Sequence, residues 1–267
     1  MRFGILANPK LRNMEAITHE LMTSLEGKAE IVLEEALGNT LGIPGTPLST
    51  MDVDILVTIG GDGTILHALQ HSNLLMVGIN AGQLGFLTEI PLDEISASIE
   101  KILGGNYSVE NRMRLKVMRN GERLKDCTNE AVLHTSHVSK MHHFEILVDE
   151  RPALNVRADG LIVSTPTGST SYAMSVGGPI IDPRVDAFVL APIAPFNLAI
   201  RPLVIPAAST VEVRHVDRKD CLLVLDGQTE VPIEPEDVLT LSRSEHPARF
   251  IRFQEDFYRK AWKKLRM

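Results

Sequence analysis

Short apolar runs and amphipathic stretches alternate through the first hundred residues of the chain. The short apolar runs at 3–7, 30–33, 55–59 and 75–79 read as strands, and helical periodicity at 14–25, 64–71 and 93–103 reads as helices. Such alternation predicts a parallel sheet with helices on its faces. After the glycine-rich "LGGNYS" at 103–108 the pattern changes, and strand signals dominate to about residue 242. "RLKVMRNGERLKD" predicts a hairpin with Asn120-Gly121 at its tip, a pair suited to positive φ. Further strands are predicted in "FEILVDERPALNVRADGLIVS", "TVEVRHV", "CLLVLDGQ" and "VLTLS", with one weak helical window at 172–176. The last stretch, "DFYRKAWKKL", is amphipathic, and its pattern places Phe257, Trp262 and Leu265 on one face. The expected fold class is therefore α/β. An N-terminal parallel-sheet domain (1–105, joined by a returning helix in 243–267) precedes a C-terminal β-rich, sandwich-like domain (106–242).

Bulk composition narrows the function classes. With 267 residues, 44% hydrophobic and 23% charged, the chain matches an ordinary soluble protein with apolar content enough for a real core. A net charge of −7 argues against general nucleic-acid binding, which pairs many phosphates with Lys and Arg. Cys127 and Cys221 are too few for a disulfide framework, so a reducing, cytoplasmic setting is expected. "MRFGILANPK" has too short an apolar run for a signal segment, and Pro192 and Pro195 break the most apolar later stretch; no membrane span is expected.

The candidate chemistry begins in "DILVTIGGDGTILHAL". A strand breaking into glycines before a helix is the usual build of a phosphate cradle, where bare N–H groups and the helix N-terminus face an anion. Gly60, Gly61, Gly63 and Thr64 form the candidate phosphate loop. The chain has neither G-x-x-x-x-G-K-[ST] nor G-x-G-x-x-G, and this loop carries an acid in place of a lysine. A carboxylate beside transferring phosphate helps only by handling the acceptor. Asp62 is thus the candidate catalytic residue, orienting a hydroxyl and taking its proton.

"ADGLIVSTPTGSTSYAMSVGGP" at 158–179 packs hydroxyls and small residues densely after a strand, as a nucleotide site requires, with Asp159 placed to receive ribose hydroxyls or an adenine amino group. Asn129 and Glu130 stand at a strand start, a weak signal taken alone. The histidines at 134, 137, 142 and 143 lack partners at ligand spacing, so no dedicated metal site is expected.

Taken together, GGDGT (60–64), Asn129-Glu130, "DGLIVSTPTGSTSY" (159–172), "GGPI" (177–180), "RPLVIP" (201–206) and "DGQ" (226–228) resemble the NAD kinase family in order and spacing over nearly the whole chain. GGDGT alone is shared with lipid kinases and phosphofructokinases; the long central motif is far more specific. The resemblance implies transfer of the terminal phosphate of ATP, or of polyphosphate, to the adenosine 2′-hydroxyl of NAD, with Mg²⁺ or another divalent cation carried on ATP. It implies an active site between the two domains, with Asp62 as activating acid and Gly63 beside it. Asn129, Glu130, Asp159 and the stretch Thr170, Ser171, Tyr172, Ala173, Met174 and Ser175 would contact the dinucleotide, joined by Lys140, Arg157 and Gln228. A homodimer or homotetramer is implied, in which the Thr-Ser-Tyr region reaches the neighbouring subunit's site. His67 stands where many relatives carry Arg, which bears on any charged contact there. "ADG" and "SVGGP" replace the commoner "GDG" and "SAGGP", and "PIAPFNLAIRP" lacks that segment's usual serines. Two other readings stay open from the residues: a GGDGT-loop kinase for a lipid or sugar hydroxyl, and a non-catalytic NAD(H)-binding regulator.

Overall fold

The structure, a computed structural model, describes residues 1–135, 141–217, 219–254 and 257–265. Two compact units emerge, 1–111 with 248–267 and 112–247.

In chain order the first unit forms β1 (Arg2–Ala7), α1 (Met14–Leu25), β2 (Glu30–Glu34), α2 (Glu35–Leu41), β3 (Gly45–Thr46), β4 (Ile55–Gly60), α3 (Asp62–His71), β5 (Leu75–Asn80), β6 (Ile90–Pro91), α4 (Ile95–Leu103) and β7 (Ser108–Arg112). The second unit supplies β8 (Leu115–Arg119), β9 (Glu122–Arg123), β10 (Glu130–Thr135), β11 (His142–Val148), β12 (Arg151–Ala158), β13 (Gly160–Ser164), α5 (Tyr172–Ser175) and β14 (Ala187–Ile193). It continues through β15 (Leu203–Pro206), β16 (Val211–His215), β17 (Cys221–Leu225), β18 (Thr229–Ile233) and β19 (Val238–Arg243). The chain then returns to the first unit as β20 (Ala248–Arg252) and α6 (Phe257–Leu265).

The first sheet runs β3-β2-β1-β4-β5-β20-β7, with β6 beside β5; the pairs from β3 to β20 are parallel. Because side chains alternate across a strand, β4 feeds two cores. Ile55, Val57 and Ile59 pack with α1 and α4, while Leu56 packs with Ile65, Leu66 and Leu69 of α3. A sheet buried on both faces explains why its strands read as continuous apolar runs.

The second unit stacks two six-stranded sheets, β15-β14-β13-β10-β17-β18 and β12-β11-β16-β19-β8-β9. Inward residues of both, among them Phe144, Leu161, Phe188, Val213, Leu223 and Leu241, form one core. The outer face of the first of these sheets is covered in turn: Val132, Ile162 and Val189 pack with Ala173 and Ile181 of the 172–181 segment. Asn120 and Gly121 both take positive φ at the β8–β9 tip.

Several expected elements shift. The helix expected from residue 64 starts at Asp62, which places the acid in its first turn. The helix expected at 93–103 splits into a short 3₁₀ turn (Leu92–Glu94) and α4. Helix α2 has no counterpart in the periodicity, since Gly38, Asn39 and Thr40 are poor helix formers; Glu34 caps it, accepting from the N–H groups of Ala36 and Leu37. Trp262 does not share a buried face: it is 67% exposed, and α6 buries Lys260 and Ala261 instead. The ammonium of Lys260 reaches the Thr88 carbonyl at 2.7 Å and the buried Glu89 carboxylate at 3.4 Å, so a residue that scores as polar faces inward.

Candidate functional site

The GGDGT loop lies at the carboxyl end of β4, where ligands gather in open parallel sheets. A Cβ at Gly60 would overlap the Thr64 hydroxyl, so glycine there serves the turn itself. A Cβ at Gly61 or Gly63 would meet nothing within 4 Å, and neither glycine has positive φ. Internal packing therefore makes no demand for glycine at these two positions. They keep bare backbone facing open space at the N-terminus of α3, whose dipole favours an anion.

The Asp62 carboxylate is aimed by the 85–87 loop. Oδ2 accepts the Phe86 N–H at 2.8 Å and Oδ1 accepts the Leu87 N–H at 3.0 Å. Gly85 permits this approach, because a Cβ there would overlap Oδ1. The loop is itself anchored: Arg252 donates to the Leu87 carbonyl at 2.8 Å and pairs with Glu89 at 3.3 Å, and Lys260 fixes Thr88. Lys264 of α6 brings its ammonium 3.8 Å from Asp62 Oδ2 and 4.7 Å from the Phe86 ring centroid. Asp62 remains 24% exposed.

The second unit has its own acid hub. Asp226, held at positive φ, accepts the N–H groups of Thr128 and Asn129 at 2.7 Å each and of Glu130 at 3.1 Å. Burial pushes the Asp226 carboxyl up, opposed by those three N–H bonds and by Arg114. The strap fixes the start of β10. Ser171 donates to Glu130 Oε1 at 2.9 Å, and the other oxygen of Glu130, buried, finds no hydrogen-bond partner among the described residues. Burial pushes the Glu130 carboxyl up to about 8, against the Ser171 hydroxyl and the Tyr172 backbone, so at neutral pH it is largely the protonated acid. Thr165 N–H donates to the Asn129 carbonyl at 2.9 Å, and a Cβ at Gly168 would overlap that carbonyl.

Sequence-predicted residues of this unit thus fall at two places. Asn129, Glu130, Ser171 and Gln228 gather around Asp226, with Thr170, Tyr172, Met174 and Ser175 following in the same segment; Tyr172, Ser175 and Gln228 are exposed, and Ala173 is buried in the outer-face core. Arg157 and Asp159 lie at the other end of β13. Glu130 pairs with Ser164 and His134 with Gly160, which separates the two ends by about 13 Å at the usual rise per residue. His67 is exposed on α3, its ring 4.9 Å from that of His71. Lys140 and His137 lie outside the described residues.

Among the described residues, no group of three His, Cys, Asp or Glu side chains could hold a metal ion. His142 and His215 form a buried pair, Nδ1 to Nε2 at 2.5 Å, and burial lowers both, His142 to about 4. Both are neutral at pH 7. Sequence reasoning missed Gly85, Phe86 and Leu87 as the brace of Asp62, and it missed Lys264. "GQLGFL" at 82–87 held the available signal, a glycine-flanked turn directly after β5.

Two family models match the chain: the ATP-NAD kinase N-terminal domain over 43–107 and the ATP-NAD kinase C-terminal domain over 128–253. Among curated relatives, the NAD kinase of Thermoplasma volcanium is 39% identical over 259 residues, covering 97% of this chain and 95% of the relative. That of Methanothermobacter thermautotrophicus is 41% identical over 275 residues, covering 99% and 96%. The structure is similar to an NAD kinase from Archaeoglobus fulgidus in complex with ATP, with a TM-score of 0.81 and 30% identity, covering 100% of this chain and 99% of that one. A yeast NADH kinase complexed with NADH shares the fold at a TM-score of 0.93 and 21% identity, covering 100% and 88%. With both family models matched in order and close relatives aligned along nearly its full length, the chain belongs to the NAD kinase family.

Proposed function

We propose that the chain transfers the terminal phosphate of ATP to the adenosine 2′-hydroxyl of NAD. The observation that carries the proposed mechanism is Asp62: a partly exposed carboxylate in the first turn of α3, aimed by two N–H groups, beside glycines that packing does not require. Two N–H bonds leave lone pairs on the carboxylate for an acceptor hydroxyl. The hydroxyl proton passes to Asp62 as its oxygen bonds to the terminal phosphorus, and the bond to ADP breaks with its electron pair on the departing oxygen. The glycine backbone and the α3 dipole hold the phosphates. Mg²⁺ or another divalent cation comes in on ATP as part of the donor.

The second unit recognises the dinucleotide. Glu130, held by the Ser171 hydroxyl, contacts it together with Asn129, Gln228 and the 170–175 segment. Arg157 and Asp159, at the far end of β13, serve the dinucleotide bound by a second copy of the chain, in a homodimer or homotetramer. Supporting this, Phe196, whose side chain is exposed, donates its N–H to the Arg157 carbonyl. A cytoplasmic setting is part of the proposal, with both cysteines free and buried. The test is NADP formation from NAD with ATP, with polyphosphate run in parallel, and light scattering for the subunit count. Absence of NADP with both donors would overturn the proposal.

A further inference from the structure

The phosphate loop contains no lysine, yet the fold delivers one. Helix α6 presents Lys260 and Lys264 one turn apart on one face. Lys260 is buried and committed to the Thr88 carbonyl and Glu89. Lys264 differs in each respect. Its side chain is 38% exposed, and its ammonium stands 4.7 Å from the Phe86 ring centroid and 3.8 Å from Asp62 Oδ2, too far for a hydrogen bond. The charge is held next to the loop, and its N–H donors have no hydrogen-bond partner among the described residues. Lys260 anchors the helix to the 86–89 loop, and Phe257 adds a ring contact to Phe86 at 6.1 Å, so the position of Lys264 is set by packing.

We propose that Lys264 is the phosphate-binding lysine of this site, supplied from the last helix in place of a lysine within the loop. Without a donor, its charge offsets that of Asp62. With ATP present, it donates to the terminal phosphate oxygens and counters the repulsion that Asp62 would otherwise exert on them. Asp62 is left to the acceptor hydroxyl. A lone carboxylate beside a triphosphate is electrostatically costly, whereas a carboxylate with an adjacent ammonium is not. The inference rests on the phosphate cradle proposed above and adds the residue that makes it affordable in charge.

Three variants test it: Lys264→Met, which keeps an unbranched apolar side chain without the charge; Lys264→Arg, which restores charge; and Lys263→Met, which removes the same charge from an exposed neighbour on the helix. ATP affinity is read by titration calorimetry, and NADP formation gives KM and kcat. Lys264→Met is expected to weaken ATP binding and raise the KM for ATP about tenfold or more, as loss of a charge-assisted hydrogen bond does, and to lower kcat while the KM for NAD holds. Lys264→Arg recovers most of the ATP affinity, and Lys263→Met stays near the parent. Should Lys264→Met fail to fold, Lys264→Gln takes its place in the same titration. ATP affinity that is the same in the parent and the neutral variant overturns the proposal. The calorimetry also separates this inference from the reaction assigned above. Lys264-dependent ATP binding without NADP formation would sink only the assigned acceptor; NADP formation with Lys264-independent ATP binding would sink only the lysine.

Discussion

Asp62 and Asp226 use the same local device in different surroundings. Each is a carboxylate that accepts backbone N–H groups from a segment distant in sequence, Asp62 from Phe86 and Leu87, Asp226 from Thr128, Asn129 and Glu130. Asp226 is only 4% exposed, and its three N–H bonds close the start of β10 against the β17 end. Asp62 takes two such bonds, keeps contact with solvent, and has an ammonium at 3.8 Å. Backbone N–H groups position a carboxylate in both places, but only the exposed one has lone pairs that an incoming hydroxyl can reach. Access to solvent separates the chemical acid from the structural one.

The largest effect is expected from Asp226→Ala. Three backbone N–H groups lose their acceptor, each buried or partly buried, so folding should weaken by about 3 kcal/mol or more, read by denaturant unfolding. An unfolding midpoint close to the parent's would remove Asp226 from the comparison. Gly85→Ala comes next. Its Cβ overlaps Asp62 Oδ1 and must push the carboxylate off its N–H donors, at about 1–3 kcal/mol of stability and with loss of turnover. Undiminished turnover in that variant would show that the 85–87 brace does not aim Asp62. The remaining effect concerns pH and spreads over several pH units. Glu130 sits near 8 in the folded chain and near 4.5 unfolded, so its stabilising share is complete below pH 4.5 and declines as pH rises. The decline runs through the window between these two values and levels off above pH 8. Glu130→Gln abolishes this slope, and its stability relative to the parent therefore improves between pH 5 and pH 8. Parallel stability curves for the two proteins would contradict the buried, protonated state of Glu130.

What the sequence displayed was local. The β4–α3 junction could be read because β-branched residues, three glycines and a helical period are contiguous, and the α5 window and the Asn120-Gly121 tip were legible for the same reason. Contacts between distant segments were not. Lys260 reads as a surface residue until Glu89 is known to lie beneath it, and the apolar pattern groups Trp262 with Phe257 and Leu265 on one face, although Trp262 is exposed. Lys264 and Asp62 come from opposite ends of the chain, so no spacing rule links them. Within 158–179, continuity suggested one site. The antiparallel pairing of β13 instead carries Asp159 and the Ser171 segment to opposite ends of a strand, a separation invisible to adjacency.

The central claim, that Asp62 activates the acceptor hydroxyl, is tested most directly by NADP formation from NAD and ATP in the parent and in Asp62→Asn. The amide keeps the shape and accepts one of the two N–H bonds but is no base. The account predicts an unfolding midpoint and a KM for NAD near the parent's, with kcat lower by about 10²–10⁴-fold. A variant that is equally folded and turns over at the parental rate would contradict it.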